Sequence, residues 1–329
     1  MTTDNEPGDP RAAALTRAAA FGGTAPSIHN SQPWRWHIGD GTLDLALERR
    51  RLLWSSDPDS RLAVLSCGIA LHHARLELAA LGWEAEVDRT PAGEDGIDRL
   101  ARISLGPCGT PEHHAVRLVG AAGQRRTDRR TAPTAPVDFH RLRSIATAAQ
   151  DQGADVRLLR PRQLLELAGA VERAREVERA DAAWQVELAG WVGGSRPSRT
   201  GIPADALPAD PFQLVAPGRA LRRAGATLVD ESRDRASVFG VLCTPGDDRI
   251  DWLRAGEGLS AGWLTATVLD VSVLPLSIVT EVATSRATVR GLIGWTAHPH
   301  LALRFAASPA VGPEARTPRL PLPEIIERD

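Results

Sequence analysis

Two strings hold most of the polar chemistry of this sequence. The first is Ala25-Pro26-Ser27-Ile28-His29-Asn30-Ser31-Gln32-Pro33-Trp34, a proline-bounded loop presenting hydroxyl, imidazole and amide groups just before an extended stretch. Asn30 and Gln32 both donate and accept, which suits the alternating carbonyl oxygens and ring nitrogens of a flavin or a nucleobase; a hydrogen-bonded turn with no ligand uses the same residue types. The second string is Arg125-Arg126-Thr127-Asp128-Arg129-Arg130. Guanidinium groups around a threonine hydroxyl suit a phosphate, which arginine binds through forked, charge-assisted bonds, although a basic run is also how a solvated surface reads. A third element, Pro275-Leu276-Ser277, is a proline-initiated turn whose backbone could approach a planar ligand.

Other residue types narrow the chemistry. The chain has no tyrosine, so no mechanism can use a phenol as its acid. The pairs His72-His73 and His113-His114 and the spaced His298 and His300 lack metal spacing: adjacent helical side chains point about 100° apart, and alternate strand positions need a third ligand nearby. Cys67, Cys108 and Cys243 are far apart and read as buried free thiols. Net charge is −2, with 39 basic residues interspersed among 41 acidic ones, which leaves no field to attract nucleic acid. No apolar run suggests a membrane span, and Met1 to Pro10 reads as a frayed acidic tail rather than a secretion signal, so a cytoplasmic location is expected.

The elements that must position these strings follow from pattern. Residues 11–21 read as a helix, Trp34–Ile38 and Leu43–Glu48 as a hairpin, Arg61–Leu81 as a core helix, and Glu84–Val87 and Leu100–Leu105 as strands. Glycines and prolines at 106–111 mark a boundary. Beyond it come helices at 112–122 and 138–150, a strand at 156–159, one long helix from Arg162 to about Trp191, a strand at 237–243, a second core helix at 252–269 and a final strand at 301–306. The fold class is α+β. The expected division is a tail at 1–10, a first half at 11–110 and a second half at 111–329. A glycine- and proline-rich insertion at 193–211 reads as a lid or a mobile surface loop.

An internal repeat organises the halves. At a constant offset of 188 residues, Asp59, Arg61, Leu65, Gly68, Leu71, Leu76 and Leu81 fall on Asp247, Arg249, Leu253, Gly256, Leu259, Leu264 and Leu269. The shared Asp-x-Arg start and the glycine favour a duplicated domain over two unrelated leucine-rich helices.

Together the strings resemble the nitroreductase superfamily, in which a P-S-x-x-N-x-Q-P-W loop touches the flavin and an R-x-S/T-x-R/K cluster holds the FMN phosphate. More closely the chain looks like the Acg-type branch of actinobacteria, where one polypeptide imitates the usual homodimer; the resemblance covers residues 11 to 310. It implies that Ser27, Ile28, Asn30 and Gln32 contact the isoalloxazine and ribityl part, and that Arg125, Arg126, Thr127 and Arg129 hold phosphate. Pro275, Leu276 and Ser277 would cover a ring face, and Arg304 would add a C-terminal basic contact. Each string occurs once, so one FMN site is expected, with NAD(P)H and a nitroaromatic, quinone or similar acceptor taking turns on the flavin. No catalytic acid or base is implied, with His29 and Ser31 the nearest groups for proton delivery. The alternatives are a flavin-storage protein with its lid closed, and a pathway-specific flavin dehydrogenase. No nucleic acid or membrane partner is implied, and the chain is expected as a monomer or weak homodimer.

Overall fold

The computed structural model describes residues 9–39, 41–91, 97–128, 135–193, 199–204, 236–308 and 317–328. Arg129 and all but residues 193 and 199–204 of the 193–211 insertion lie outside them.

Helix α1 (Pro10–Gly22) starts where Asp9 accepts hydrogen bonds from the amides of Arg11 and Ala12, with proline in the first turn. Strands β1 (Trp34–Ile38) and β2 (Thr42–Leu47) form the expected hairpin, followed by α2 (Arg61–Ala80), β3 (Trp83–Asp88) and β4 (Arg99–Cys108). After α3 (His113–Ala122) the pattern recurs: α4 (Phe139–Gln150), β5 (Asp155–Leu158), β6 (Val238–Thr244), α7 (Arg249–Val268), β7 (Val271–Leu276) and β8 (His298–Ala307). Within the first sheet the strands run β3-β4-β2-β1, and in the second β7-β8-β6-β5, with every one of these pairings antiparallel. The two sheets therefore share one order and one connectivity, which extends the helix repeat to whole units.

Two connections differ between the units. A short turn joins β1 to β2, whereas α5 (Pro161–Ala180) and α6 (Ala182–Trp191) lie between β5 and β6. The single helix expected over 162–191 is two, because Asp181 leaves helical geometry and its carboxylate caps the amide of Trp184. Likewise α8 (Ile278–Glu281) and α9 (Ala283–Leu292), which the sequence reading did not resolve, lie between β7 and β8. At the C-terminus β9 (Ile326–Arg328) joins the first sheet, parallel to β1. Part of the segment assigned to the second half thus completes the first.

The centre of the molecule is the crossing of α2 and α7. A Cβ built on Gly68 would stand 2.0 Å from the carbonyl oxygen of Leu253, and one on Gly256 would stand 1.9 Å from that of Leu65. These are the same two positions of the repeat, contacting each other reciprocally, as across a local twofold axis. His72 Nδ1 and Ser260 Oγ, another pair 188 residues apart, meet at 2.8 Å. Only hydrogen lets the two backbones approach this closely. Helix α2 has the length and mean hydropathy, 1.2, to cross a membrane, which the sequence reading did not expect, but 89% of that window is buried inside the protein. The thiols divide: Cys67 and Cys243 are buried, and Cys108, expected inside, is exposed.

Candidate functional site

The loop after α1 is wound into an uncommon shape. His29, Asn30 and Gln32 all have positive φ, 44°, 55° and 52°, in the left-handed region that costs most side chains of order 1–3 kcal/mol. The surroundings hold it there. The Ile28 amide donates to Ser66 Oγ on α2 at 3.1 Å, and the Gln32 amide donates to Ser27 Oγ at 2.9 Å.

The amides expected to face a ring edge are engaged by the protein's own chain. Asn30 Nδ2 donates to the carbonyls of Gly201 and Pro318, both at 3.0 Å, and its Oδ1 accepts from Arg319 at 2.9 Å. Gln32 Nε2 donates to the carbonyl of Arg199 at 2.8 Å, and its Oε1 accepts from the Leu320 amide at 2.9 Å. In this structure they fasten two segments, 199–201 and 318–320, over the loop. Sequence reasoning could not see this because the partners, backbone groups of four residues and the side chain of Arg319, all lie more than 160 residues away.

The arginine string continues from α3 and reaches the edge of the second sheet. Thr127 bridges Val273 of β7 in parallel, two residues before Pro275. Pro275 and Leu276 end β7, both half-buried, opposite Leu303 and Ala302, and the Ser277 carbonyl opens the turn into α8 by accepting from the Thr280 amide. On β8, Arg304 is 1% exposed and donates from Nη2 to the Asp128 carbonyl at 2.9 Å. Arg125, Arg126, Thr127, Arg304 and the end of β7 are therefore brought together.

Arg319 links this edge to the loop, and sequence reasoning missed it. Its Nε donates to the Thr24 carbonyl and its Nη1 to Asn30 Oδ1 and Thr317 Oγ1. No motif marks it, since it stands in a proline-rich tail beyond the span of the resemblance. Burial lowers its pKa to about 10. The same influence, followed by the positive charges of Arg319 and Arg126, brings that of Arg125 down to about 9. Arg125 lies over the Trp263 ring, 4.6 Å from its centroid, and its buried Nε has no partner among the described residues. His73 completes this wall, stacked on Phe21 with centroids 5.1 Å apart, its Nδ1 3.3 Å from Thr24 Oγ1. Burial and the Arg125 charge push its pKa down to about 3, so it is neutral, and its Nε2 has no partner among the described residues.

Among the described residues no carboxylate pairs with Arg125, Arg126 or Arg319. Desolvated, mutually repelling guanidiniums are unfavourable unless an anion joins them, and an unmade Nε–H is the donor such an anion would take. The arrangement thus offers unsatisfied guanidinium donors suited to an anion, beside a loop held in left-handed backbone and an aromatic wall. The histidines considered for metal have other neighbours: His72 meets Ser260, His300 Nε2 meets Thr244 Oγ1 at 2.5 Å, and His298 Nε2 lies 3.1 Å from Arg290.

No family model matches the chain. Two relatives from Mycobacterium tuberculosis, "Putative NAD(P)H nitroreductase Rv3131" and "Putative NAD(P)H nitroreductase acg", are each 35% identical over 309 residues; these alignments cover 92% of this chain and 88% and 92% of theirs. The "Uncharacterized protein Rv3127" of the same organism is 32% identical over 325 residues, 95% of this chain and 92% of its own. Among solved structures, the FMN-dependent nitroreductase NfnB of Mycobacterium smegmatis in complex with NADPH has a TM-score of 0.39 at 15% identity, covering 64% of this chain and 97% of that one. The extent and identity of the mycobacterial matches, end to end over both units, establish that this chain belongs to the nitroreductase family, in its acg-type branch.

Proposed function

We propose that the chain binds one FMN between the 27–32 loop and the Arg125–Arg304 edge. With it, the protein would pass two electrons from NAD(P)H to a nitroaromatic, quinone or similar flat acceptor. The observation that carries the reading is the half-buried guanidinium of Arg125, whose Nε donor has no hydrogen-bond partner among the described residues, beside the like charges of Arg126 and Arg319, a grouping suited to a phosphate dianion. The two matching units supply within one polypeptide what a nitroreductase homodimer would assemble from two. A single chain in the cytoplasm is the corresponding expectation.

FMN, when bound, supplies the hydride and electron chemistry, and the protein's part is to hold and shield it. Arg125, Arg126, Thr127 and Arg304 would seat the phosphate. Ser27 and Ile28 would present the loop to the ring system, with Asn30 and Gln32 acting behind it by holding 199–201 and 318–320 in place. Pro275, Leu276 and Ser277 would bound one face, and His73, neutral and with Nε2 unpartnered among the described residues, offers a hydrogen bond at the wall.

A storage reading has its own support, because the start of the insertion is pinned by Asn30 and Gln32 and its Ile202 is 8% exposed. The tests are direct. The purified protein should be yellow, and anaerobic NADPH or NADH should bleach it within a turnover time; a flavin that never bleaches with either points to storage. Arg125→Ala combined with Arg304→Ala should lower FMN affinity by at least about a hundredfold, at about tenfold or more per charge-assisted contact. Unchanged affinity would overturn the phosphate assignment.

A further inference from the structure

A cavity of about 600 Å³ lies apart from the 27–32 loop, between α2, α3 and α7 and the turn after α4. The 188-residue repeat identifies its place. Trp263 and His73, which approach Arg125 in the first site, have Arg75 and Ala261 as repeat counterparts, and both line the cavity. The connection from α1 to β1 carries the 27–32 loop; the equivalent connection from α4 to β5 is a short turn whose Asp151 and Gln152 also line it. The cavity is thus the twofold counterpart of the site described above, retained as space but rebuilt in charge.

The phosphate anchors are gone from it. Arg304 faces Leu274 across the second sheet, and the corresponding position in the first sheet, opposite Glu86, is Ser104. The exposed side chains of Glu84, Glu112 and Asp151 stand around the rim, with one histidine, His114, among them. The one arginine of the lining, Arg75, is committed to the fully buried Glu257 at 2.6 Å and to Gln152 at 2.9 Å. Leu76 and Leu118 supply an apolar wall, joined by Trp83, over whose ring the Arg11 guanidinium already lies, 5.4 Å from its centroid, so a cation on this indole has a precedent within the protein. His72, 4% exposed, also lines the cavity, its Nδ1 hydrogen-bonded with Ser260 Oγ. A volume of this size suits a small ligand, and the combination of a flat apolar wall with acidic rim groups selects against phosphate and for positive charge.

We propose that this cavity is a second small-molecule site, which takes a flat aromatic amine bearing positive charge and rejects phosphorylated flavins. The inference rests on the geometry of the cavity and stands whether or not the first site turns over. The test uses the full chain loaded with FMN, titrated calorimetrically with proflavine, a planar cation, and separately with excess FMN. One saturable equivalent of proflavine is expected and no second equivalent of FMN. Glu84→Gln with Asp151→Asn should weaken proflavine at least about tenfold, and Ala148→Trp, which fills the lining, should abolish its binding. Both variants should keep the flavin absorbance and the melting temperature of the parent, which separates loss of this site from loss of the first. Absence of proflavine binding, undiminished binding by Ala148→Trp, or uptake of a second FMN would each overturn the proposal.

Discussion

At Arg319, donor geometry matters as much as charge. One guanidinium reaches the Thr24 carbonyl, Asn30 Oδ1 and Thr317 Oγ1, a fork that a lysine ammonium cannot reproduce. Arg319→Lys should therefore release flavin at least about tenfold more readily, as measured by equilibrium dialysis and flavin fluorescence. Parent-like retention would mean that only the charge counts. The same reasoning explains why Asn30 and Gln32 are demanding positions: they hold left-handed backbone and at the same time clamp segments distant in sequence.

Among the elements, α2 sets the strictest requirements. Its first amides, of Leu62 and Ala63, donate to the Asp57 carboxylate at 3.1 and 2.9 Å. Burial nevertheless raises the Asp57 pKa to about 7, against the lowering effect of those bonds. A carboxyl whose folded pKa lies above its unfolded value of about 3.9 binds more protons in the native state. Its contribution to stability is complete below that unfolded value and is lost as pH rises through about 7. Asp57→Asn, which keeps one of the two accepting oxygens and removes the titrating group, should lose less melting temperature than the parent between pH 5 and pH 8, from a lower starting value. An equal loss in both would place the titration elsewhere. Where α2 meets α7, Gly256→Ala would drive a methyl into the Leu65 carbonyl, a backbone atom with nowhere to move. Destabilisation of about 3 kcal/mol or more is expected, read as a lowered denaturant midpoint, and Gly68→Ala should match it because the contact is reciprocal.

For the molecule as a whole, the two units share one connectivity but Arg304 has Ser104 as its counterpart, so only one of the two related sites keeps its arginines, which predicts one FMN per chain, determined by flavin absorbance against protein mass. A flavin content near two would contradict the asymmetry of the two twofold-related sites. The C-terminal segment ties the units together, since Arg319 and Leu320 bond to the 27–32 loop and Ile326–Arg328 extends the first sheet. A chain ending at residue 308 should accordingly lose flavin and melt at a lower temperature; retained flavin would show that 317–328 is dispensable for the site.

Much of this is legible in the sequence alone. The 27–32 loop, the arginine string, the α+β alternation and the duplicated core helices follow from local composition and spacing, because turns, periodicity and guanidinium clusters are written in neighbouring residues. Two helices in place of one at 161–191 turned on a single capping aspartate, and α8 and α9 on short segments whose pattern is weak. Arg319, the use of the Asn30 and Gln32 amides, the exchange of β9 into the first sheet and the acidic cavity opposite the site were decided only by the tertiary structure. Each depends on groups far apart along the chain, paired by backbone carbonyls and buried charges whose partners no local pattern names.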